Sequence, residues 1–260
     1  MIAIIGGTGV NDFPLEGEPE PLTVVTRWGE TRLRRGIVRG RTVFFLARHG
    51  AGHRVPPHAI PYRANIAALV KLGVRAVLAT TAVGGLKPTL MPGTLLLPED
   101  LIDFTRERTG KTFFDGKDGV IVHADMTRPY SEPLRELVRT AADTLGTPIV
   151  PEGVYLCNDG PRYETAAEVR LFGQVWGADV AGMTGVPETF LAREAGLHYA
   201  TISVVTNPGA GLQTGLLTHA EVETAFRNAL PQLVALIGET IGRTRTELLP
   251  PIGPGVPIPL

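Results

Sequence analysis

Five short segments carry residue types suited to gripping a small oxyanion: Gly7-Thr8-Gly9, Arg48-His49-Gly50, Thr80-Thr81-Ala82, Met183-Thr184 and Thr206-Asn207. Together they offer hydroxyls, glycine-rich backbone with open N–H groups, one guanidinium and a neighbouring imidazole. Those are the groups that bind a small anion. No Ser-His-Asp or Cys-His pattern suggests a covalent nucleophile. Gly7-Thr8-Gly9 starts like a dinucleotide fingerprint, but Asp12 stands where the third glycine belongs. By itself this stretch reads as a tight turn. His49, His53 and His58 share a loop rich in proline and glycine with no acidic ligand between them. No metal site is expected there.

These segments need a scaffold, and the flanking pattern supplies one. Apolar runs predict strands over 2–5, 42–47, 74–80, 94–97, 154–157, 180–183 and 198–206. Helical spacing predicts helices over 62–72, 131–145, 166–176, 187–195 and 219–243. Thr218 and Glu221 form a capping-box pattern for the last helix, and Pro231 is expected to kink it. Alternating strands and helices imply an α/β layered fold on a largely parallel sheet. In such sheets ligands bind beyond the carboxyl ends of the strands, where the five segments fall. Residues 1–247 read as one domain. Residues 248–260, rich in proline and glycine, read as an extended or disordered tail.

The 260 residues carry a formal net charge of −1. Nothing in that balance points to nucleic acid or an anionic membrane as partner. The single cysteine, Cys157, excludes an internal disulfide and a cysteine-based zinc site. The N-terminal apolar run is too short for a signal peptide, and no stretch is long enough to span a membrane. A soluble, cytoplasmic protein is expected.

In order and spacing, the motifs resemble the trimeric purine nucleoside phosphorylase and methylthioadenosine phosphorylase family. The carriers are Gly6-Gly-Thr-Gly9, Arg48-His-Gly50 with His53, Tyr62-Arg-Ala-Asn65, Thr80-Thr-Ala-Val-Gly-Gly85, Asp100-Leu-Ile-Asp103, Gly160-Pro-Arg-Tyr-Glu-Thr165, Met183-Thr-Gly-Val-Pro-Glu188 and Val205-Thr-Asn207. The resemblance implies a three-layer α/β/α sandwich with a mixed, partly barrel-like central sheet. It implies a phosphate site of Thr8, Arg48, His49, Thr81, Ala82 and Thr184. Met183 would lie under the ribose, and Tyr163 would face sugar and base. Glu164, Val83, Gly84 and Asn207 would line the base pocket. His123 would be lent to a neighbour's site in a homotrimer, although some relatives are hexamers. Inorganic phosphate would be a co-substrate, with no metal or cofactor.

The implied reaction is phosphorolysis of a purine nucleoside, with Asn207, His49 and Glu164 as the catalytic set. As the base departs, the ribose becomes oxocarbenium-like and the purine gains electron density at N7. A donor aimed at N7 lowers that barrier. Members that cleave methylthioadenosine commonly carry two carboxylates two residues apart after this strand. Here those positions are Asn207 and Gly209. An ionised Glu164 accepts from N1–H of a 6-oxopurine but opposes the N1 lone pair of adenine, a mismatch of about 1–3 kcal/mol. Hypoxanthine or guanine is therefore the expected base. Against this stands a plainer role for Glu164 as a helix-start acid. His219, near the start of the last helix, fits a 5′-hydroxyl. An S-methyl-5′-thioinosine or S-methyl-5′-thioadenosine substrate stays open. So, more distantly, do a nucleoside hydrolase and a nucleoside-binding protein.

Overall fold

The computed structural model describes residues 1–10, 13–106, 108, 110–213 and 219–260, the last stretch without the side chains of 219–221. In chain order the elements begin with β1 (Ile2–Gly6), β2 (Glu16–Thr26), β3 (Gly29–Val38) and β4 (Arg41–Ala47). A 3-10 turn at Pro57–Ala59 leads to α1 (Tyr62–Lys71), β5 (Ala76–Gly85), β6 (Leu95–Leu96) and β7 (Asp100–Asp103). Then come α2 (Glu132–Leu145), β8 (Ile149–Val150), β9 (Val154–Cys157) and α3 (Ala166–Arg170), which a π-helical turn extends over Leu171–Val175. The chain closes with β10 (Val180–Gly182), α4 (Glu188–Glu194), β11 (His198–Pro208) and α5 (His219–Arg243).

The eleven strands of the described residues form one mixed sheet that branches at β5 and does not close into a barrel. β5 runs parallel to β1 on one side and to β11 on the other. Its last two residues pair antiparallel with β10, through Gly84↔Ala181 and Gly85↔Val180. Both faces of the central strands are buried, so alternate residues feed two cores. Ile2 and Ile4 of β1 pack with Leu134 and Val138 of α2 and with Phe226, Leu233 and Ile237 of α5. Ala3 and Ile5 pack with Ile66 and Leu69 of α1 and with Leu191 of α4. This gives the three layers expected, with helices on each side of the sheet.

The β2–β3 hairpin is absent from the predicted elements. Its residues are largely exposed on both faces, and β2 is an edge strand carrying Pro19 and Pro21. An edge of that composition shows no buried-face alternation to read. Pro231 stands inside a continuous α5. Thr218 and the side chain of Glu221 lie outside the described residues. Residues 248–260 form no regular element, yet they dock on the body. Trp28 Nε1 donates to Pro259 O at 2.7 Å, and Arg75 donates to Leu249 O at 3.2 Å. Ile258 is buried against the α1 and α4 side.

Candidate active site

The carboxyl ends of β1, β4, β5, β10 and β11 converge on one cavity of about 340 Å³. Thr8, His49, Ala82 and Thr184 line one part of it, and Val83, Gly84, Tyr163, Glu164, Met183 and Asn207 line the rest. Ten of the residues named from sequence thus meet on one wall. Five do not. Arg48 and Thr81 stand behind the lining, Gly209 packs outside it, and His123 is exposed on the irregular segment before α2. The side chain of His219 lies outside the described residues.

Arg48 stands back because it is held. Its side chain has no exposed surface, and neither has that of Glu188. Nε and Nη2 each donate to a Glu188 carboxylate oxygen at 2.7 Å, while Nη1 donates to Thr80 O at 2.9 Å. Tyr199 also donates to Glu188, at 2.6 Å. Burial works against the charge on Arg48, but the adjoining carboxylate outweighs it and raises the pKa above its ordinary value. Thr80, one residue before the threonine named from sequence, fixes the first loop. Its Oγ1 accepts from Gly7 N at 3.1 Å. A Cβ on Gly7 would lie 2.7 Å from Arg48 Nη1, so this loop sits directly on the guanidinium. The Thr81 hydroxyl instead faces Ser203, at 2.9 Å, between β5 and β11.

His49 is fixed as a neutral ring. Burial pushes its pKa down to about 4, and Arg48 and His53 push the same way. Its Nδ1 lies 2.8 Å from Val55 O. A neutral imidazole donates there, which leaves Nε2 as an acceptor.

The other end of the cavity is built from β11 and the 158–165 loop. The β5–β11 register slips between Val205 and Asn207, which sets Asn207 opposite Gly84. Such a bulge re-aims a side chain near a site. The Asn207 amide is then oriented on both sides. Thr206 Oγ1 donates to its Oδ1 at 2.8 Å, and its Nδ2 donates to Pro208 O at 3.0 Å. One N–H remains for a ligand. Gly209 has no room for a side chain, since a Cβ would lie 2.9 Å from Val169 Cγ1.

Glu164 does not cap the following helix. Thr165 does, accepting from Glu168 N at 3.2 Å while the Glu168 carboxylate accepts from Thr165 N at 2.8 Å. Glu164 turns into the cavity, where Asn158 Nδ2 donates to its Oε1. Burial raises its pKa, with the Asn158 hydrogen bond opposing.

Sequence reading missed several supporting residues. Buried Arg108 donates to the carbonyls of Asn158, Met183 and Val186 and to Tyr62 Oη, clamping together the loops that carry Asn158 and Met183. The Tyr155 hydroxyl accepts from Thr184 N and Gly185 N at 3.4 and 3.3 Å. These partners lie 29 to 78 residues apart in sequence, so no local pattern announces them. Cys157 is buried, and burial raises its pKa to about 11, which disfavours the thiolate form. Among the described residues, no three His, Cys, Asp or Glu side chains are grouped to hold a metal ion. No helix there is long and apolar enough to cross a membrane.

The sequence pattern of the Phosphorylase superfamily matches residues 1–242. The chain is 46% identical to the 6-oxopurine nucleoside phosphorylase of Pyrococcus furiosus over 241 residues, covering 91% of this chain and 90% of that protein. It is 42% identical to a probable S-methyl-5′-thioinosine phosphorylase of Methanothermobacter thermautotrophicus, covering 95% and 85%. Among solved structures, methylthioadenosine phosphorylase from Schistosoma mansoni in complex with adenine superposes with a TM-score of 0.88 at 31% identity, covering 94% and 92%. With the strand-end cavity and the motif order, these likenesses lead to one conclusion: the chain belongs to the phosphorylase superfamily, among its nucleoside phosphorylases.

Proposed function

We propose that this chain catalyses reversible phosphorolysis of 6-oxopurine nucleosides to free base and ribose 1-phosphate. The observation that carries the base preference is Glu164, free of capping duty and facing the cavity with Asn158 on one oxygen. In the proposed complex the Glu164 carboxylate accepts from N1–H of hypoxanthine or guanine. Gly209, closed off by Val169, leaves no space for the second carboxylate associated with adenine.

In the proposed reaction, phosphate sits among Thr8, His49, the Ala82 backbone and Thr184. It attacks C1′ from the face opposite the base, and the ribose lies over Met183. The C1′–N9 bond breaks and its electron pair moves into the purine ring. The remaining Asn207 N–H donates to N7 and stabilises the charge that develops there. Phosphate oxygen forms the new bond to C1′, so no enzyme atom becomes covalently attached. No metal or other cofactor is part of this scheme.

Val222, on the first turns of α5, presents an apolar surface to the cavity. That favours a second reading, in which the 5′ substituent is methylthio rather than hydroxyl. The chain is proposed to work in the cytoplasm as a homotrimer, with exposed His123 reaching a neighbouring site.

Base release from inosine, guanosine, adenosine and methylthioinosine, with and without phosphate, tests the reaction and the substrate preference. Phosphate-dependent release of a 6-oxopurine is the expected result, and the inosine to methylthioinosine ratio decides the 5′ group. Release without phosphate would overturn the proposal in favour of a hydrolase. Absence of release from all four would return the chain to a binding role.

A further inference from the structure

The proposed phosphate site has a charge problem. Phosphate groups carry about one to two negative charges near neutral pH. An anion in a partly enclosed cavity needs a cation or a dense set of donors. Arg48 does not supply net charge, because both Glu188 oxygens are bonded to it in a pair with no exposed surface. His49 is uncharged near neutral pH. Among the described residues lining the cavity, Arg54 is the only lysine or arginine.

The loop from Gly50 to Val55 carries Arg54, an exposed residue that lines the cavity, next to His49 in the chain. Val55 N donates to His49 O at 3.0 Å, and His49 Nδ1 donates back to Val55 O at 2.8 Å. His53 N donates to Gly50 O at 3.2 Å, and the His53 ring stacks on His49 with centroids 4.1 Å apart. The chain turns through positive φ at Gly50, Gly52 and, for a residue with a side chain, His53 at 55°. A Cβ on Gly52 would lie 3.6 Å from Arg54 Nε, so the Arg54 side chain folds back along the loop. No carboxylate of the described residues forms an ion pair with it, unlike Arg63 or Arg48. A guanidinium of this kind offers a planar fork to an oxyanion.

We infer that Arg54 supplies the net positive charge of the phosphate site, while Arg48, already matched by Glu188, adds donors but no net charge. This rests on the phosphorolytic reading above. It extends to ribose 1-phosphate in the reverse direction, whose phosphate would occupy the same end.

Steady-state kinetics of the full chain with inosine and phosphate test it, using Arg54→Ala and Arg54→Lys. Loss of one charged hydrogen-bonding partner raises KM for phosphate by ~10-fold or more in Arg54→Ala. KM for inosine at saturating phosphate and the thermal midpoint stay at parental values, and Arg54→Lys recovers part of the phosphate affinity. Added KCl weakens phosphate binding more steeply in the parent than in Arg54→Ala. An unchanged KM for phosphate in Arg54→Ala would overturn the inference, as would an equal rise in both KM values, which marks a loop-shape role. Base release by the parent without phosphate would instead remove the phosphorolytic reading itself.

Discussion

The two ends of the cavity are made differently. The proposed phosphate end rests on strand termini in the deepest part of the sheet, braced by Arg48, Glu188, Thr80 and Tyr199, all at 1% exposure or less. The base end rests on the 158–165 loop and the bulged end of β11, where Tyr163 is 37% exposed. On the proposed reading, the half that would serve the step common to all nucleosides is continuous with the core, and the half that would discriminate between bases is attached to it by a few hydrogen bonds. Substitutions at the first end should therefore cost stability as well as activity. Those at the second should change substrate choice in a protein that remains folded.

The largest expected effect is at the braced end. Glu188→Ala leaves the Arg48 guanidinium buried without its partner, which costs about 3–5 kcal/mol. Chemical denaturation should show that loss, and an unchanged midpoint would mean that the braced end is not part of the core's stability. Asn207→Ala at the base end should lower kcat by roughly 10²–10³-fold, the scale of losing one positioned donor. KM for phosphate and the unfolding midpoint should be nearly unaffected. Parental turnover in that variant would remove Asn207 from the mechanism. Glu164→Gln should cut the preference for inosine over adenosine by roughly 10-fold or more, at about 1–3 kcal/mol for the mismatched edge. Unchanged selectivity ratios would leave the Glu164 carboxylate without a part in base choice.

The smallest effect concerns pH. Folded His49 titrates at about 4, below the ordinary value near 6.5 of the unfolded chain. As pH falls from 7 to 5, the unfolded chain takes up a proton that the folded chain refuses. Stability from this group is present above about 6.5 and is lost toward 4, by at most ~2 kcal/mol at pH 5. His49→Gln should flatten the fall in thermal midpoint over that interval by a few degrees. Parallel midpoint curves for parent and variant would contradict the depressed titration.

The same contrast governs what the sequence reveals. β1, β5 and β11 are buried on both faces, so they appear as apolar runs, and the segments that follow them name the cavity in advance. The β2–β3 hairpin faces solvent and leaves no such trace. Arg48 is visible as a motif, but its partner Glu188 lies 140 residues away. Only folding shows that the charge is already matched, and hence that Arg48 stands behind the lining. Arg54 belongs to a loop whose composition marks it as irregular, and its approach to the cavity depends on left-handed turns that periodicity does not encode. Thr165 and Glu168 form a capping box that is legible in the sequence, and it leaves Glu164 free of capping duty.

Gly209 bears on how such specificity can be inherited. A carboxylate at this position would need Val169 to shrink first, because the two Val169 methyls lie 2.9 and 3.1 Å from where a Cβ would stand. The Gly85 carbonyl, at 3.2 Å, would also have to give way. A lineage carrying this chain therefore cannot acquire the paired carboxylates of an adenine-type site in one mutational step at 209. A space-making change at 169 must come first, with no benefit to base recognition when it arises. The order of substitutions, and not only their number, would then stand between this site and one with paired carboxylates at 207 and 209.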